Sequence, residues 1–200
     1  MSSNNKPITI GITGGIGSGK STVCRILKNM NLPIYDADSQ SKILCNTNSK
    51  LKFALTENFG TTIYDTQGNL DRQKFASIIF SNTELLNKAN NIIHPIVSED
   101  FQKWKLQQNS PIVIVESAIL CSCELKNKVD KILVVVAEKE TRIERVMKRS
   151  NLTRNEVLSR IQHQISENEL VKMSDFVVQN NPDQLLIPQI ETIISSLIKP

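Results

Sequence analysis

The run IGITGGIGSGKSTV at residues 10–23 restricts what this chain can fold into more than any other part of its sequence. From Gly14 onward it fits the G-x-x-x-x-G-K-[ST] pattern of a phosphate-binding loop. Isoleucines alternate along residues 8–12 before the loop, as in a strand, and apolar residues recur at helical spacing over 23–30 after it. This context of strand, loop and helix predicts a phosphate site at the end of a strand.

Each residue type in this run has a use in binding phosphate. Glycines let the chain turn its amide N–H groups inward around phosphate oxygens, where a Cβ atom would obstruct the approach. Lys20 supplies a positive charge for the β and γ phosphates, Ser21 supplies a hydroxyl for Mg²⁺, and the following helix points its positive end at the anion. We therefore predict that the loop holds a nucleoside triphosphate. The predicted nucleotide-binding residues here are Gly14, Gly15, Ile16, Gly17, Ser18, Gly19, Lys20, Ser21 and Thr22, with Ser21 as metal ligand.

Length and composition restrict the classes to which this protein can belong. A chain of 200 residues suits one compact α/β domain. A net charge of +4 with only 4% aromatic residues suits anionic metabolites and does not suggest a nucleic-acid binder. No apolar stretch is long enough to direct export or cross a membrane, so we expect a cytoplasmic protein without nucleic-acid or membrane partners. The four cysteines lack C-x-x-C spacing, which favours free thiols over a zinc site.

Apolar runs alternate with helical patterns along most of the chain. The runs lie at 8–12, 33–35, 112–115, 131–136 and 176–178. This alternation predicts an α/β fold of three layers, in which a parallel sheet carries helices on both faces.

The longest segment between two apolar runs has helical periodicity and predicts helices over 51–59, 71–80, 84–93 and 95–108. A closing helix is expected over 185–197. We therefore predict a single domain in three parts. They are a core at about 6–40, 110–140 and 172–200, a helical insert at about 41–109, and a lid at about 141–171.

Asp36 and Asp38 follow the second predicted strand. The carboxyl edge of a parallel sheet is where ligands of such folds bind, and a carboxylate there can accept the proton of an attacking hydroxyl or help hold Mg²⁺. The alternative is a helix cap, in which Asp38 or Ser39 begins a helix over 40–45. Capping would explain one of the two aspartates but not both.

Two strings match motifs of guanine-nucleotide switches, DTQG at 65–68 and NKVD at 127–130. A guanine-reading N-K-x-D follows a buried strand, whereas here the apolar run at 131–136 comes after it. DTQG follows a short polar segment and precedes Asn69, which indicates a plain turn. We therefore interpret both matches as coincidental.

Residues 138–163 are rich in arginine, and Arg142, Arg145 and Arg149 fall on one helical face. Cations opposite a phosphate loop suit phosphoryl transfer, since Arg can meet the oxygens of the transition state, and such a segment could close as a lid that excludes water. Arg149 is the favoured candidate. The alternative is a solvated face with i,i+4 pairs such as Glu138 with Arg142.

His94 precedes Pro95 at the junction of two predicted helices. A lone histidine there is more often a cap or a packed side chain than a ligand contact.

Taken together, these residues resemble the dephospho-CoA kinase family nearly from end to end. The matching segments are TGGIGSGKST at 13–22, DAD at 36–38, GNLDR at 68–72, the stretch from Leu86 to Pro95, RIERVMKR at 142–149, Gln164, and DFVVQN at 175–180. The resemblance implies transfer of the γ-phosphoryl of ATP to the ribose 3′-hydroxyl of dephospho-CoA with Mg²⁺, on a fold similar to that of nucleoside monophosphate kinases. Oligomeric state is not determined by it.

The resemblance also implies roles for individual residues. Asp38 matches the catalytic base, Lys20 and Arg149 match cations that stabilise phosphate, and His94 matches a residue that lines the acceptor site. We expect Arg145 to join Arg149 at the ATP site. The expected acceptor-binding residues are Asp36, Asp38, Arg72 and His94.

This chain departs from the family pattern at two places. Residues 118–122 lack the proline and the acid that many members have after the third strand, although Glu116 can place a carboxylate nearby. Leu170 stands near a position where many members carry lysine.

Two other functions fit the same motifs. One is a related kinase that acts on a nucleoside monophosphate or another nucleotide-like alcohol. The other, of a different class, is a non-catalytic nucleotide switch, which the misplaced N-K-V-D and the arginine-rich segment disfavour.

Overall fold

The computed structural model describes residues 6–198, which divide into two compact units. One unit, here called the sheet unit, runs to Tyr35 and resumes at Gln108. The other, the helical unit, comprises Asp36–Gln107.

The sheet has five strands: β1 Ile8–Thr13, β2 Ile34–Asp36, β3 Ile112–Glu116, β4 Lys131–Val136 and β5 Phe176–Gln179. Their order is β2-β3-β1-β4-β5, so β1 is central. It pairs in parallel with β3 and with β4, and β4 pairs in parallel with β5. The predicted parallel α/β sheet and all five of its apolar runs are confirmed.

Nine α-helices lie within the described residues. They are α1 Lys20–Asn29, α2 Ala37–Thr47, α3 Ser49–Phe59, α4 Arg72–Ile79, α5 Thr83–Leu106, α6 Lys139–Ser150, α7 Arg154–Gln162, α8 Glu167–Lys172 and α9 Leu186–Ile198. The predicted closing helix is confirmed as α9, with Pro188 in its first turn, where the missing N–H costs no helical hydrogen bond.

The core of the sheet unit follows from the alternation of side chains along β1. Ile10 and Ile12 point to the face that α1 and α9 cover and are at most 1% exposed. Burial of side chains of this size contributes about 1.5–3 kcal/mol each. On the opposite face Gly11 leaves room for the side chains of Leu120 and Val129, which a Cβ atom would displace.

The helical unit is built around α5, which contacts α2, α3 and α4. Each of its helices starts at a side-chain cap: Asp36 for α2, Asn48 for α3, Asp71 for α4 and Asn82 for α5. Leu51, Leu55 and Phe101 are fully buried within it. Capping and apolar periodicity together explain why this stretch forms helices.

The prediction of two helices that meet at His94 is wrong. A single helix, α5, runs through Pro95. Proline in a helix interior removes one N–H donor and disfavours the helix, but α5 has fully buried residues on both sides of it, Ala89 before and Phe101 after. Ile96 and Val97, directly after the proline, are buried, so tertiary packing overrides the local signal.

Both strings that match switch motifs have structural explanations. Asp65 Oδ1 accepts from the amides of Gln67 and Asn69, at 2.9 and 2.8 Å, and Gly68 has φ 78°, which confirms the predicted turn. Asp130 lies directly before β4, as predicted, and its Oδ2 accepts from the Thr9 amide at 2.7 Å. This places NKVD at the amino edge of the sheet, away from the strand ends where ligands bind.

Within residues 6–198, no helix combines the length and apolar character that a membrane span requires.

Asp175 joins the starts of β4 and β5. Its carboxylate accepts from Lys131 Nζ and from the Ile132 amide, each at 2.8 Å. These two hydrogen bonds hold the pKa of Asp175 below its ordinary value, because they favour the ionised carboxylate.

We expect Asp175→Asn to lower the free energy of unfolding by up to about 1 kcal/mol at neutral pH, since the pair is partly exposed. Because the folded-state pKa is depressed, this contribution is present above the ordinary value of 3.8 and is lost as the pH falls through the folded-state pKa. Urea denaturation of both proteins from about pH 7 to about pH 2 measures it. A stability difference that stays constant to the lowest pH would contradict the assignment.

Candidate active site at the phosphate loop

The phosphate loop, residues 14–19, connects the carboxyl end of β1 to the start of α1. Gly19 is the N-cap of α1 with φ 94°, and no side chain caps this helix. Lys20 Nζ donates to the carbonyl oxygen of Gly14 at 2.8 Å, so the lysine folds back across the loop. The loop therefore has the predicted context of strand and helix, with a cation held against it.

Glycine is required where the loop touches its surroundings. A Cβ atom on Gly14 would collide with the carbonyl oxygen of Val135. Gly17 has φ 80°, and a Cβ there would lie 2.5 Å from the carbonyl oxygen of Arg142. In both places the obstacle is backbone, which cannot move aside as the end of a side chain can.

Two amides at the end of the loop, those of Gly19 and Ser21, are available to an anion. Those of Thr22 and Val23 donate to the Gly19 carbonyl oxygen. Among the described residues, none accepts a hydrogen bond from the amide of Gly19 or Ser21. Unpaired amides at a helix N-terminus, together with the helix dipole, form a site for a phosphate group.

Asn180, directly after β5, and Arg145 of α6 border the same end of the loop. Asn180 is 8% exposed, and its Nδ2 donates to the Ser18 carbonyl oxygen at 2.7 Å. Arg145 is half-buried, and its Nη1 is buried without a hydrogen-bond partner in the described residues. A buried cationic nitrogen without a partner has a marked tendency to bind an anion or acceptor.

The three predicted arginines of α6 differ in environment. Arg142 is 6% exposed and pairs with Glu167 at 3.3 Å. Its Nε donates to the Ile16 carbonyl oxygen. Arg142 therefore forms its ion pair with Glu167 and not with Glu138, the partner in the alternative interpretation. Arg149 is exposed in the last turn of α6, next to Lys148.

The sequence analysis did not name Arg142, Gln164 or Asn180 among the expected site residues, although all three belong to the segments that carried the family resemblance. Gln164 Oε1 accepts from the Ile16 amide at 2.8 Å. No spacing rule reveals these contacts, since they join residues separated by 126 to 162 positions.

Two openings flank the loop within the sheet unit. A groove of about 620 Å³ lies at its end, lined by Ile26, Arg145, Asn180 and the following residues to Pro188. A smaller cavity of about 250 Å³ lies against Gly14 and Gly15 at its beginning. Its other walls come from two segments: Ala118, Ile119, Cys121 and Ser122 after β3, and His163, Gln164, Ile165 and Leu170. This is the region where the chain departs from the family pattern; Glu116, at the end of β3, is half-buried.

Asp36 and Asp38 lie at the junction of β2 and α2. Asp36 is the cap of α2, and its carboxylate accepts from the Ser39 amide at 2.9 Å and from the Ser39 hydroxyl at 2.6 Å. The alternative, in which Asp38 or Ser39 caps a helix over 40–45, does not hold, because the helix begins earlier, at Ala37, with Asp36 as its cap. Capping thus accounts for Asp36, while Asp38 is an exposed residue of the first helical turn.

The other predicted acceptor residues lie in the helical unit. Arg72 is exposed at the start of α4, directly after the cap Asp71. Burial raises the pKa of the Cys45 thiol, and the positive charge of Arg72 opposes that rise. His94 is half-buried inside α5. Both positions are on helices, where side-chain direction is set by the rigid backbone.

The family model described as Dephospho-CoA kinase matches residues 8–185 of this chain. The curated dephospho-CoA kinase of Porphyromonas gingivalis is 41% identical over 191 residues, which cover 95% of this chain and 94% of that protein. The Bacillus cereus dephospho-CoA kinase is 36% identical over 177 residues, which cover 87% and 88%.

Solved structures agree with this similarity. One from Thermus thermophilus has a TM-score of 0.83 at 31% identity and covers 97% of this chain and 99% of its own. Dephospho-CoA kinase from Campylobacter jejuni has a TM-score of 0.69 at 22% identity, with coverage of 94% and 96%. Shikimate kinase from Acinetobacter baumannii has a TM-score of 0.56 at 11% identity, with coverage of 97% and 94%. At these lower identities the likeness shows the fold alone, that of P-loop kinases.

We expect Gly17→Ala to abolish measurable ATP binding, because the new methyl group meets the backbone of Arg142 and the loop must shift. Gly60→Ala is the matched control: Gly60 has a similar φ of 85°, but nothing lies within 4 Å of its Cβ position. Both variants should lose about 1–3 kcal/mol of stability from backbone strain. Calorimetric titration with ATP distinguishes them, and equal ATP affinity in the two variants would contradict the role given to the loop.

Proposed function

The chain belongs to the dephospho-CoA kinase family, and on that premise we propose a role in the reaction for each residue of its site. It is an ATP-dependent kinase that transfers the γ-phosphoryl group of ATP to the ribose 3′-hydroxyl of dephospho-CoA. The products are coenzyme A and ADP, and the reaction is the final step of coenzyme A biosynthesis. The single observation that carries the assignment of roles is the phosphate loop, in which the amides of Gly19 and Ser21 are available to an anion beside Lys20.

We assign the nucleoside of ATP to the groove at the end of the loop. The groove is lined by Arg145, whose buried Nη1 needs a partner, and by Asn180, which contacts the loop at Ser18. Apolar residues such as Ile26 and Leu186 give it surfaces suited to a flat base. The triphosphate then runs along the loop toward Gly14, where the smaller cavity opens for the reacting end of the acceptor.

Magnesium fits the residues at the start of α1. Ser21 is exposed there and offers a hydroxyl oxygen. The described residues contain no group of three or more His, Cys, Asp or Glu able to enclose a metal ion. Mg²⁺ commonly keeps several waters and takes one or two protein ligands plus phosphate oxygens, so Ser21 would hold it together with ATP. When bound, the ion neutralises charge on the β and γ phosphates.

Asp38 is the proposed general base. Asp38 matches the catalytic base of the family, and it lies in the first turn of α2, directly after β2. Its carboxylate accepts the proton of the 3′-hydroxyl while that oxygen forms a bond to the γ-phosphorus. The bond from the γ-phosphorus to the bridging oxygen breaks, and ADP leaves with that electron pair.

Lys20, Arg145 and Arg149 are the proposed cations of the transition state. Lys20 already lies against the loop through its 2.8 Å contact with Gly14. Arg149 is exposed, which leaves it able to reach a phosphoryl group when residues 141–171 close as a lid. Arg72 and His94, on helices of the insert at about 41–109, are the proposed contacts for dephospho-CoA, with Asp36 beside the acceptor's hydroxyl.

We place the enzyme in the cytoplasm. All four cysteines are free thiols, and Cys24 and Cys45 are buried, a state that a reducing compartment preserves. ATP and dephospho-CoA are its small-molecule partners.

We expect Asp38→Asn to bind ATP normally and to lose turnover by a factor of about one hundred or more, as for loss of a general base. The matched control is Glu191→Gln, which neutralises an exposed carboxylate on α9. Coupled detection of ADP with dephospho-CoA as acceptor measures kcat for both variants.

Near-normal turnover of Asp38→Asn would reject its role as base. The same assay with a nucleoside monophosphate in place of dephospho-CoA tests the substrate independently of any variant.

A further inference from the structure

Both main-chain groups of Ile16, the third residue of the phosphate loop, bond to side chains from a distant part of the chain. Its amide donates to Gln164 Oε1 at 2.8 Å, and its carbonyl oxygen accepts from Arg142 Nε at 2.9 Å. Arg142 is 6% exposed and is itself paired with Glu167. The Ile16 amide is therefore directed at protein rather than at the inside of the loop.

The Ile16 side chain packs into a small apolar core that is distinct from the core of the sheet. Its buried members are Ile143 and Val146 of α6 and Val157 of α7, each 0% exposed. The remaining loop residues are glycines and one serine, so Ile16 supplies the only large apolar side chain between Gly14 and Gly19. Three independent contacts thus attach one residue of the loop to α6 and its neighbours.

This attachment matters because the rest of the loop has little to order it. Glycine loses more conformational freedom on folding than any other residue, and ordering one residue costs about 1–2 kcal/mol. A loop that had to become ordered on binding ATP would lose that amount from its affinity. Contacts that order the loop before ATP binds avoid this loss of affinity.

We propose that Ile16, Arg142 and Gln164 are positioning residues that hold the phosphate loop in its ATP-binding conformation. They also keep the loop in a fixed relation to α6, the helix that carries Arg145 and Arg149. The proposal rests on ATP binding in this loop, as assigned above, and adds that the affinity depends on side chains that do not touch the nucleotide.

A merely structural role would have a different kinetic signature. Variants that only reduce the folded fraction lower the apparent kcat and leave the KM of ATP unchanged. Loss of a prepared loop raises the KM and Kd of ATP. For Ile16→Ala, which lies outside the lining of the smaller cavity, the KM of dephospho-CoA stays unchanged.

The first test replaces the apolar contact. Ile16→Ala removes most of the side chain from the small core, and we expect the Kd of ATP to rise about tenfold, or about 1.4 kcal/mol. Ile16→Val retains a branched side chain and should stay within about threefold of the wild type. Isothermal calorimetry with ATP and magnesium measures Kd without any acceptor.

The second test keeps the fold and removes one hydrogen bond. Gln164→Met preserves side-chain length on a half-buried residue but no longer accepts from Ile16, and a similar loss of ATP affinity is expected. In the double variant with Ile16→Ala, the two fold-changes should not multiply, because both act on the placement of one residue.

Ile194→Ala is the control for lost stability, since Ile194 is 6% exposed in the sheet core on α9. It should lower Tm at least as much as Ile16→Ala and leave the Kd of ATP unchanged. If Ile16→Ala and Gln164→Met bind ATP as the wild type does, the positioning role is overturned. If the wild type binds ATP but does not phosphorylate dephospho-CoA, the proposed function fails and the positioning role stands.

Discussion

Close packing around the phosphate loop is the constraint on which the rest of the site depends. The loop passes so near β4, α6 and Asn180 that a Cβ atom at Gly14, Gly17 or Gly19 would collide with them. Glycine at these positions lets the backbone itself form the wall of the site. Amides, rather than side chains, then meet the phosphate groups, and the start of α1 adds its dipole to theirs.

Polar side chains complete this arrangement by satisfying the loop's outward-facing groups. Asn180 donates to Ser18, and Gln164 and Arg142 bond to Ile16. A buried backbone group without a partner would cost free energy comparable to a lost hydrogen bond, so these contacts are needed for so tight a loop. They also connect the loop to the arginine-bearing helix α6, so that binding of phosphate and placement of the cations depend on the same contacts.

Local sequence signals predicted turns and helices correctly, except where tertiary packing competed with them. The turn at Asp65 and the final helix after Leu185 follow from neighbouring residues, and both are confirmed. Pro95 is a local stop signal that the buried residues around it override. Asp36 and Asp38 are alike in sequence, but only the start of α2 at Ala37 shows that Asp36 is the cap.

The sequence by itself determined the parallel sheet, the phosphate loop and the family, because these depend on periodicity and on residue types at fixed short spacing. The roles of Asp38, Arg72, His94 and Arg149 remain predictions from the sequence. Only the tertiary structure decided which arginine of α6 is buried and that Gln164 and Asn180 border the loop. Those contacts join residues more than a hundred positions apart, where the chain's path through the fold, and not spacing, sets which side chains meet.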